Sequence, residues 1–495
     1  MSVDVPEQSD EGREMEAFKG RATRGAAWTA FGYGGQQIVR LAANLVLTRL
    51  LFKEHFGLMA LVGVVIAGIN LFSDIGIGAA LIQSERDDPR FVDTMWTIEI
   101  VRGIVLWLIA CVIAGPVAGF YEAPILADLI RVAAFGSVIE GFRSTNYYTE
   151  NRNLQMKGIV LLEVGCQLAG ITVMITWASL SPTVWGLVAG GLVSAVVSTV
   201  WSHVWLPGRQ NRLHFERRAA GMLYRFGRWI LLSTLLMFLV GNADRLIFGK
   251  LVTMAVLGVY NIALNLALVP STAMNRVSMG ILFPLYSRFH QSGTKMLPIY
   301  RNARLPMMIL GGWATAGIVA GGPTIIEILY DPRYIEAGWM LQILVAGLWF
   351  GVVLEGSNGV AVLALGHSRW TAIGSAAKLV GITILVPLGW HLWEFPGAII
   401  GFAASDVLRY LASLVGVLRF GLDDRVQDLK MTLLVAGSAF VGWFAVQLLT
   451  TAGWTNVVFH AVVIAVIVTA FWMPQHLQLW RRYKETGHLF FAEAN

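Results

Sequence analysis

Charge is scarce in this chain. Asp, Glu, Lys and Arg make up 14% of its 495 residues, against about 25% in a soluble globular domain. Cysteine is scarcer still. Cys111 and Cys166 are the two present, both inside apolar stretches, so neither a disulfide framework nor a cysteine-based metal site can be built from them. Long polar segments are missing as well, which excludes a large extramembrane domain. A membrane polymerase or ligase would need a sizeable outer loop with catalytic Arg or His residues, and none is present. There is no Walker A loop, so ATP is not hydrolysed by this chain. No loop carries paired carboxylates, a metal triad or a nucleophile motif, and no cofactor is called for. The reading is a non-enzyme.

Apolar residues dominate instead. They make up 56% of the chain, and mean hydropathy is +0.63. A run of about 20 such residues spans a bilayer. Spans are expected near 25–48, 56–82, 92–120, 124–149, 159–179, 184–206, 224–247, 254–284, 303–327, 337–365, 370–391, 396–419, 430–450 and 456–473. The fold class is therefore an all-α polytopic membrane protein with about 14 transmembrane helices. Residues 1–20 are rich in acids and read as a soluble tail, not a cleavable signal. The net charge of +6 is topological and implies no nucleic-acid partner. Lys and Arg crowd one side, as at Arg90, Arg152, Lys157, Arg209, Arg212, Arg288, Arg301, Arg304, Arg369 and Arg481, while Arg49, Lys53, Lys250 and Arg333 hold the other. That bias puts both termini in the cytoplasm.

An internal repeat organises the chain. RLLFKEHFGLMAL begins at Arg49 and RLIFGKLVTMAVLGVYNIA at Arg245, at matching points of two six-helix sets. Six spans of offset preserve orientation, so the halves read as parallel repeats. The expected organisation is a tail at 1–22, a six-helix lobe at 23–206, a basic linker at 207–223, a second lobe at 224–420, and two extra helices with a tail at 421–495.

About eight basic residues lie inside the spans, where an unpaired cation costs at least ~2.5 kcal/mol. Such groups persist only beside a partner, a polar cavity or an anionic ligand. Gln36, Arg40 and Asn44 share one face of span 1 at i, i+4, i+8, one turn after Gly32, Gly34 and Gly35. They form either a cavity-facing cationic face or a polar stripe packed on a neighbour. Span 8 carries Asn261, Asn265, Thr272 and Arg276, with Pro270 expected to kink it. These read as a moving gate or as interhelical glue. Glu99–Arg102, Glu140–Arg143 and Asp406–Arg409 stand at i, i+3, so each can pair internally. Arg131 and Lys378 have no obvious local partner. Asp74, Glu163, Asp244 and Glu355 are candidate cross-helix partners, and Asp74, Glu163 and Glu355 are also candidate proton or sodium carriers. Asp244, beside Arg245, reads as structural. His203, His367, His391 and His460 lack metal-ligand spacing and read as interfacial or packing residues.

The run NADRLIFGKLVTMAVLGVYNIALNLALVP (242–270), with FPLYSRF (283–289) and LFSDIGIGAALIQ (71–83), resembles Wzx-type oligosaccharide flippases. More narrowly it is similar to their exopolysaccharide and colanic-acid branch. That family sits in the superfamily of multidrug, oligosaccharidyl-lipid and polysaccharide exporters, which includes the lipid II flippases. The resemblance implies two six-helix lobes in a V, alternating access, and residence in a bacterial inner membrane. It implies a polyprenyl-diphosphate-linked oligosaccharide as cargo, carried to the periplasmic leaflet for exopolysaccharide or lipopolysaccharide synthesis. Membrane lipid, a polysaccharide polymerase and export machinery would be partners. Many members have twelve spans, and fourteen departs from that. On this view Arg40 and Arg276 bind the diphosphate, with Gln36, Asn44, Asn261, Asn265, Arg102, Arg131, Arg143, Lys378 and Arg409 as further substrate-binding residues. A cation-coupled drug or metabolite antiporter of the same superfamily is the alternative.

Overall fold

The computed structural model describes residues 7–72, 89–153, 155–216 and 237–486, and for residues 7–27 and 30 the backbone course only. Asp74, most of the 71–83 motif, residues 217–223 of the expected linker and the first part of span 7 lie outside the described residues.

The regular structure among the described residues is all helical. In order come α1 (Glu7–Leu50), α2 (Lys53–Phe72), α3 (Pro89–Phe120), α4 (Ile125–Gly141), the short α5 (Asn146–Arg152), α6 (Met156–Leu180) and α7 (Trp185–Val204). Then follow α8 (residues 237–251), α9 (Met254–Val277), a π turn at Ser278–Leu282, α10 (Phe283–Gln291), α11 (Met296–Leu329) and α12 (Ala337–Leu348). A second π turn, Trp349–Leu354, leads into α13 (Glu355–Ala364), then α14 (Arg369–Arg419), α15 (Arg425–Thr451) and α16 (Val457–Thr486).

Ten helices among the described residues are long and apolar enough to cross a membrane. One of them, α14, is two crossings. Trp393 and Glu394 leave helical geometry inside it, with φ at +51° for Glu394, so it is the expected pair 370–391 and 396–419 joined by a tight reversal. Spans 1, 4 and 7 correspond to α1, the 17-residue α4 and α8. The polar tail is not separate from span 1, because α1 is helical from Glu7 onward.

The chain divides into two compact units, one up to Phe238 and one from Leu239 onward. In the first, α3 packs along α4, α6 along α7, α1 on α6, and α4 on α7. Residues 207–216 are not a free linker. They lie extended on α3: Arg209 pairs with Asp93 at 3.2 Å. The backbone N–H groups of Arg212, His214 and Glu216 donate to Asp93, Thr97 and Thr94 at 3.0–3.1 Å. The stretch 285–302 is no long loop either, since α10 and α11 occupy most of it.

In the second unit α11 packs against α12, α15 and α16. The last two helices are part of this core. Trp349 Nε1 donates to Thr432 of α15 at 3.0 Å. Trp472 of α16 is fully buried and donates to Ser438 at 3.1 Å. Helix association in lipid rests on such packing and hydrogen bonds, because lipid tails are as apolar as leucine.

The two similar stretches share a local feature. A two-residue break, Leu51–Phe52, precedes α2, and Val252–Thr253 precedes α9. Alignment on the breaks sets Gly57 against Gly258 and Arg49 against Lys250, so Arg245 is not the counterpart of Arg49.

Candidate functional site

In the first unit α3 and α4 cross backbone to backbone. Gly103 sits on the Ser137 carbonyl and Gly141 on the Glu99 carbonyl, so a Cβ at either would meet main chain. Small residues permit that approach between membrane helices. The approach gathers Glu99, Arg102, Glu140 and Arg143 around a cavity of about 90 Å³, with Asn70 and the Trp96 and Tyr148 rings in its lining. Arg102 Nη1 donates to Glu99 Oε2 at 2.9 Å, and Nη2 donates to the Asn70 carbonyl at 3.3 Å. Arg143 does not pair with Glu140 among the described residues. Its guanidinium lies 4.3 Å from the Tyr147 ring centroid and 5.8 Å from that of Tyr148.

A hydrogen-bonded string leads from this cavity to α1. Tyr147 Oη donates to Glu163 Oε1 at 2.7 Å, and Gln36 Nε2 donates to Glu163 Oε2 at 2.9 Å. Gln167 Nε2 donates to the Gln36 carbonyl at 3.0 Å. Both oxygens of Glu163 are thus engaged. Gly32 packs on Val160, whereas Gly34 and Gly35 face open space. Close approach to a neighbouring helix therefore holds at Gly32. One turn beyond Gln36, Arg40 is exposed and Asn44 is half-buried. The structure so links Gln36, Glu163 and, through the Tyr147 ring, Arg143, which shares the cavity lining with Arg102.

The second unit holds two cross-helix ion pairs. Lys378 Nζ lies 2.7 Å from Asp406 Oδ1, and Arg409 Nη2 lies 3.1 Å from Glu355 Oε2. This corrects two expectations. Asp406 and Arg409 do not pair with each other at i, i+3, and Lys378 is not partnerless. Gly351, in the second π turn, gives Asp406 its room, because a Cβ there would overlap the carboxylate. Arg131 also has a partner, Asp128 on its own helix at 2.9 Å, and the pair is exposed.

The residues placed on α9 are only in part as expected. Asn261, Asn265 and Thr272 are half-buried and Arg276 is exposed, while Leu257, Tyr260, Ala263, Leu264 and Ala267 are buried. The polar stripe therefore faces away from the core of its unit. The helix continues through Pro270, and its regularity changes at the π turn beyond Val277. Asp244 is buried and accepts from Tyr260 Oη at 2.6 Å. His203 and His460 bond the carbonyls of Phe142 and Trp454, and His367 stacks on Phe420.

One network was missed. Arg304, read from sequence as a one-sided loop charge, is fully buried near the start of α11. Its Nη2 lies 2.6 Å from Asp428 Oδ1, and its Nη1 donates to Tyr300 Oη at 2.8 Å. Asp428 also accepts from Tyr410 Oη at 2.7 Å. Asp424 sits 3.5 Å from Arg304 and 3.4 Å from Arg301. Burial outweighs those arginines and pushes the Asp424 carboxyl up to about 6. The signal available in sequence was Asp424 and Asp428 at i, i+4 before an apolar run.

Charge held inside membrane-crossing helices, paired across helices and lining a cavity, defines a polytopic membrane protein of the transporter type. The chain belongs to the polysaccharide biosynthesis protein family, whose model matches residues 46–338. Among its relatives is the lipopolysaccharide biosynthesis protein WzxC of Escherichia coli, 22% identical over 80% of this chain and 81% of that one. The teichuronic acid biosynthesis protein TuaB of Bacillus subtilis is 21% identical over 88% and 91%. In fold the chain is similar to the lipid II flippase MurJ in its inward closed conformation. The TM-score is 0.70 at 11% identity, covering 92% of this chain and 99% of that one. A multidrug resistance MATE family transporter gives a TM-score of 0.59 at 16% identity, over 80% and 95%.

Proposed function

We propose that the chain is a flippase for polyprenyl-diphosphate-linked oligosaccharide repeat units, feeding exopolysaccharide or lipopolysaccharide synthesis. It works by alternating access between the expected lobes at 23–206 and 224–420, in a bacterial inner membrane with both termini cytoplasmic. It is not an enzyme. The observation that carries the reading is the α3–α4 cavity, where two arginines, two glutamates, an asparagine and two aromatic rings converge. Such a set offers donors, acceptors and stacking faces together, the groups that sugars use, and at about 90 Å³ the cavity has to widen during alternating access to admit a head group. The two arginines and two glutamates balance in formal charge, so the set favours a polar cargo rather than a cation. The need for a machine is energetic: each sugar hydroxyl costs roughly 4–8 kcal/mol to strip of water on a cyclohexane scale. Arg40 and Arg276, both exposed, take the diphosphate, because arginine forks match phosphate oxygens bidentately. Asn44, Asn261 and Asn265 lie on the same faces. Glu163 and Glu355 are the carboxylates for proton or sodium coupling. A polymerase takes the delivered unit.

Deletion of the gene tests this. The expected result is loss of a surface or extracellular polysaccharide, with its lipid-linked repeat unit accumulating on the cytoplasmic leaflet. Normal polymer output with altered drug sensitivity would favour the antiporter.

A further inference from the structure

A groove of about 680 Å³ opens in the second unit between α11 and α16. Its wall is apolar, made by Leu305, Met473, Pro474 and Leu477, and its rim carries Arg481 and Arg482 against one acid, Glu485. Arg482 Nη1 donates to the Asn302 carbonyl at 2.9 Å, which ties the two sides together. Arg481 is exposed. Beside it the exposed Trp480 ring has the Lys484 ammonium 5.3 Å from its centroid.

These features stand in a fixed order along α16. The apolar wall belongs to the membrane-crossing stretch, and the cations follow within two turns. Tryptophan concentrates at the membrane–water interface, so Trp480 marks the head-group level, and the arginines share that level. A soluble anion would use the rim and leave the wall bare. An apolar chain would use the wall and leave the rim unused. An anionic phospholipid uses both, with its phosphate on arginine forks and an acyl chain along the wall.

We propose that this groove binds one anionic phospholipid, its phosphodiester on Arg481 and Arg482 and an acyl chain against Met473 and Leu477. None of its residues belongs to the α3–α4 cavity or to the two ion pairs of the second unit. The inference therefore stands whether or not the flippase reading holds.

The test uses purified full-length protein in mild detergent. Retention of phosphatidylglycerol and of phosphatidylcholine is measured by native mass spectrometry and by thermal shift. The parent should prefer phosphatidylglycerol on the order of tenfold. R481E should bring the two lipids to parity. L477W, which fills the groove without touching charge, should lower retention of both. If R481E lowers the melting temperature of the lipid-free protein, R481Q gives the same comparison. Equal phosphatidylglycerol retention by parent, R481E and R481Q would overturn the site. So would an equal thermal shift from inorganic phosphate alone, because it would leave the apolar wall no role.

Discussion

Arg304 Nη2 and Asp428 Oδ1 face each other 2.6 Å apart in the core of the second unit. One residue lies on α11 and the other on α15. The contact therefore fastens the first of the two C-terminal helices to α11. Trp349–Thr432 and Trp472–Ser438 add hydrogen bonds that tie these helices into the same core. The C-terminal pair is a structural part of the unit, not an appendage.

Removal of one partner from such a pair leaves a buried, uncompensated charge and costs about 3–5 kcal/mol, whereas apolar replacement of both can be near neutral. R304M and D428L singly should each lower folded yield and melting temperature in detergent. The R304M/D428L double variant should recover most of the loss. A double variant as unstable as the sum of the singles would contradict a paired role.

Asp424 gives a pH signature. Its native pKa, about 6, lies above the ordinary value of 3.8 because burial disfavours the charged form. The folded state thus holds the proton more tightly than the unfolded chain. Stability should fall as pH rises from about 4 to about 6 and level off above that. Melting curves of the parent and D424N across this range should differ in slope, with the variant flatter. Parallel curves would count against it.

Arg143 stacks on Tyr147 and Tyr148 while bordering the cavity. Lysine keeps the charge but loses the planar face, and cation–π contact is worth roughly 0.5–2 kcal/mol. R143K should reduce polymer output partly and R143A should nearly abolish it, both at parental membrane levels. Parental output from R143A would remove Arg143 from the site.

Topology is open to direct reading. Reporter fusions at Arg212, Gly293 and Gln478 should report cytoplasm, and fusions at Ser181, Glu394 and Gly453 should report periplasm. Five of these six positions lie in breaks or extended chain between helices. A periplasmic signal at Arg212 would contradict two lobes joined by a cytoplasmic connection.

The helices and their number were legible because an apolar run of membrane length has few alternatives. Charge partners were legible in part: Glu355, a cross-helix candidate, does pair with Arg409, whereas the local partner of Arg131, Asp128, was overlooked. Glu99–Arg102 stands at i, i+3 and does pair. Asp406–Arg409 has the same spacing and does not, because Lys378 and Glu355 on other segments offer better geometry. Arg304 was misread because its acids are more than a hundred residues away and enter with helices that sequence had set aside as extra. The α3–α4 cavity depends on Gly103 and Gly141, and no spacing announces which glycine faces which carbonyl.

The most direct measurement is leaflet exchange in proteoliposomes. Purified protein is reconstituted with a fluorescent polyprenyl-diphosphate oligosaccharide, and the fraction open to an external glycan-modifying enzyme is followed in time. In vesicles holding the parent the whole labelled pool should become accessible. Empty vesicles should plateau near half. R40A and R276A should behave like empty vesicles although they reconstitute equally well, and R40K and R276K should fall between. A parent trace matching that of empty vesicles, together with proton- or sodium-driven uptake of a cationic drug, would contradict the flippase assignment.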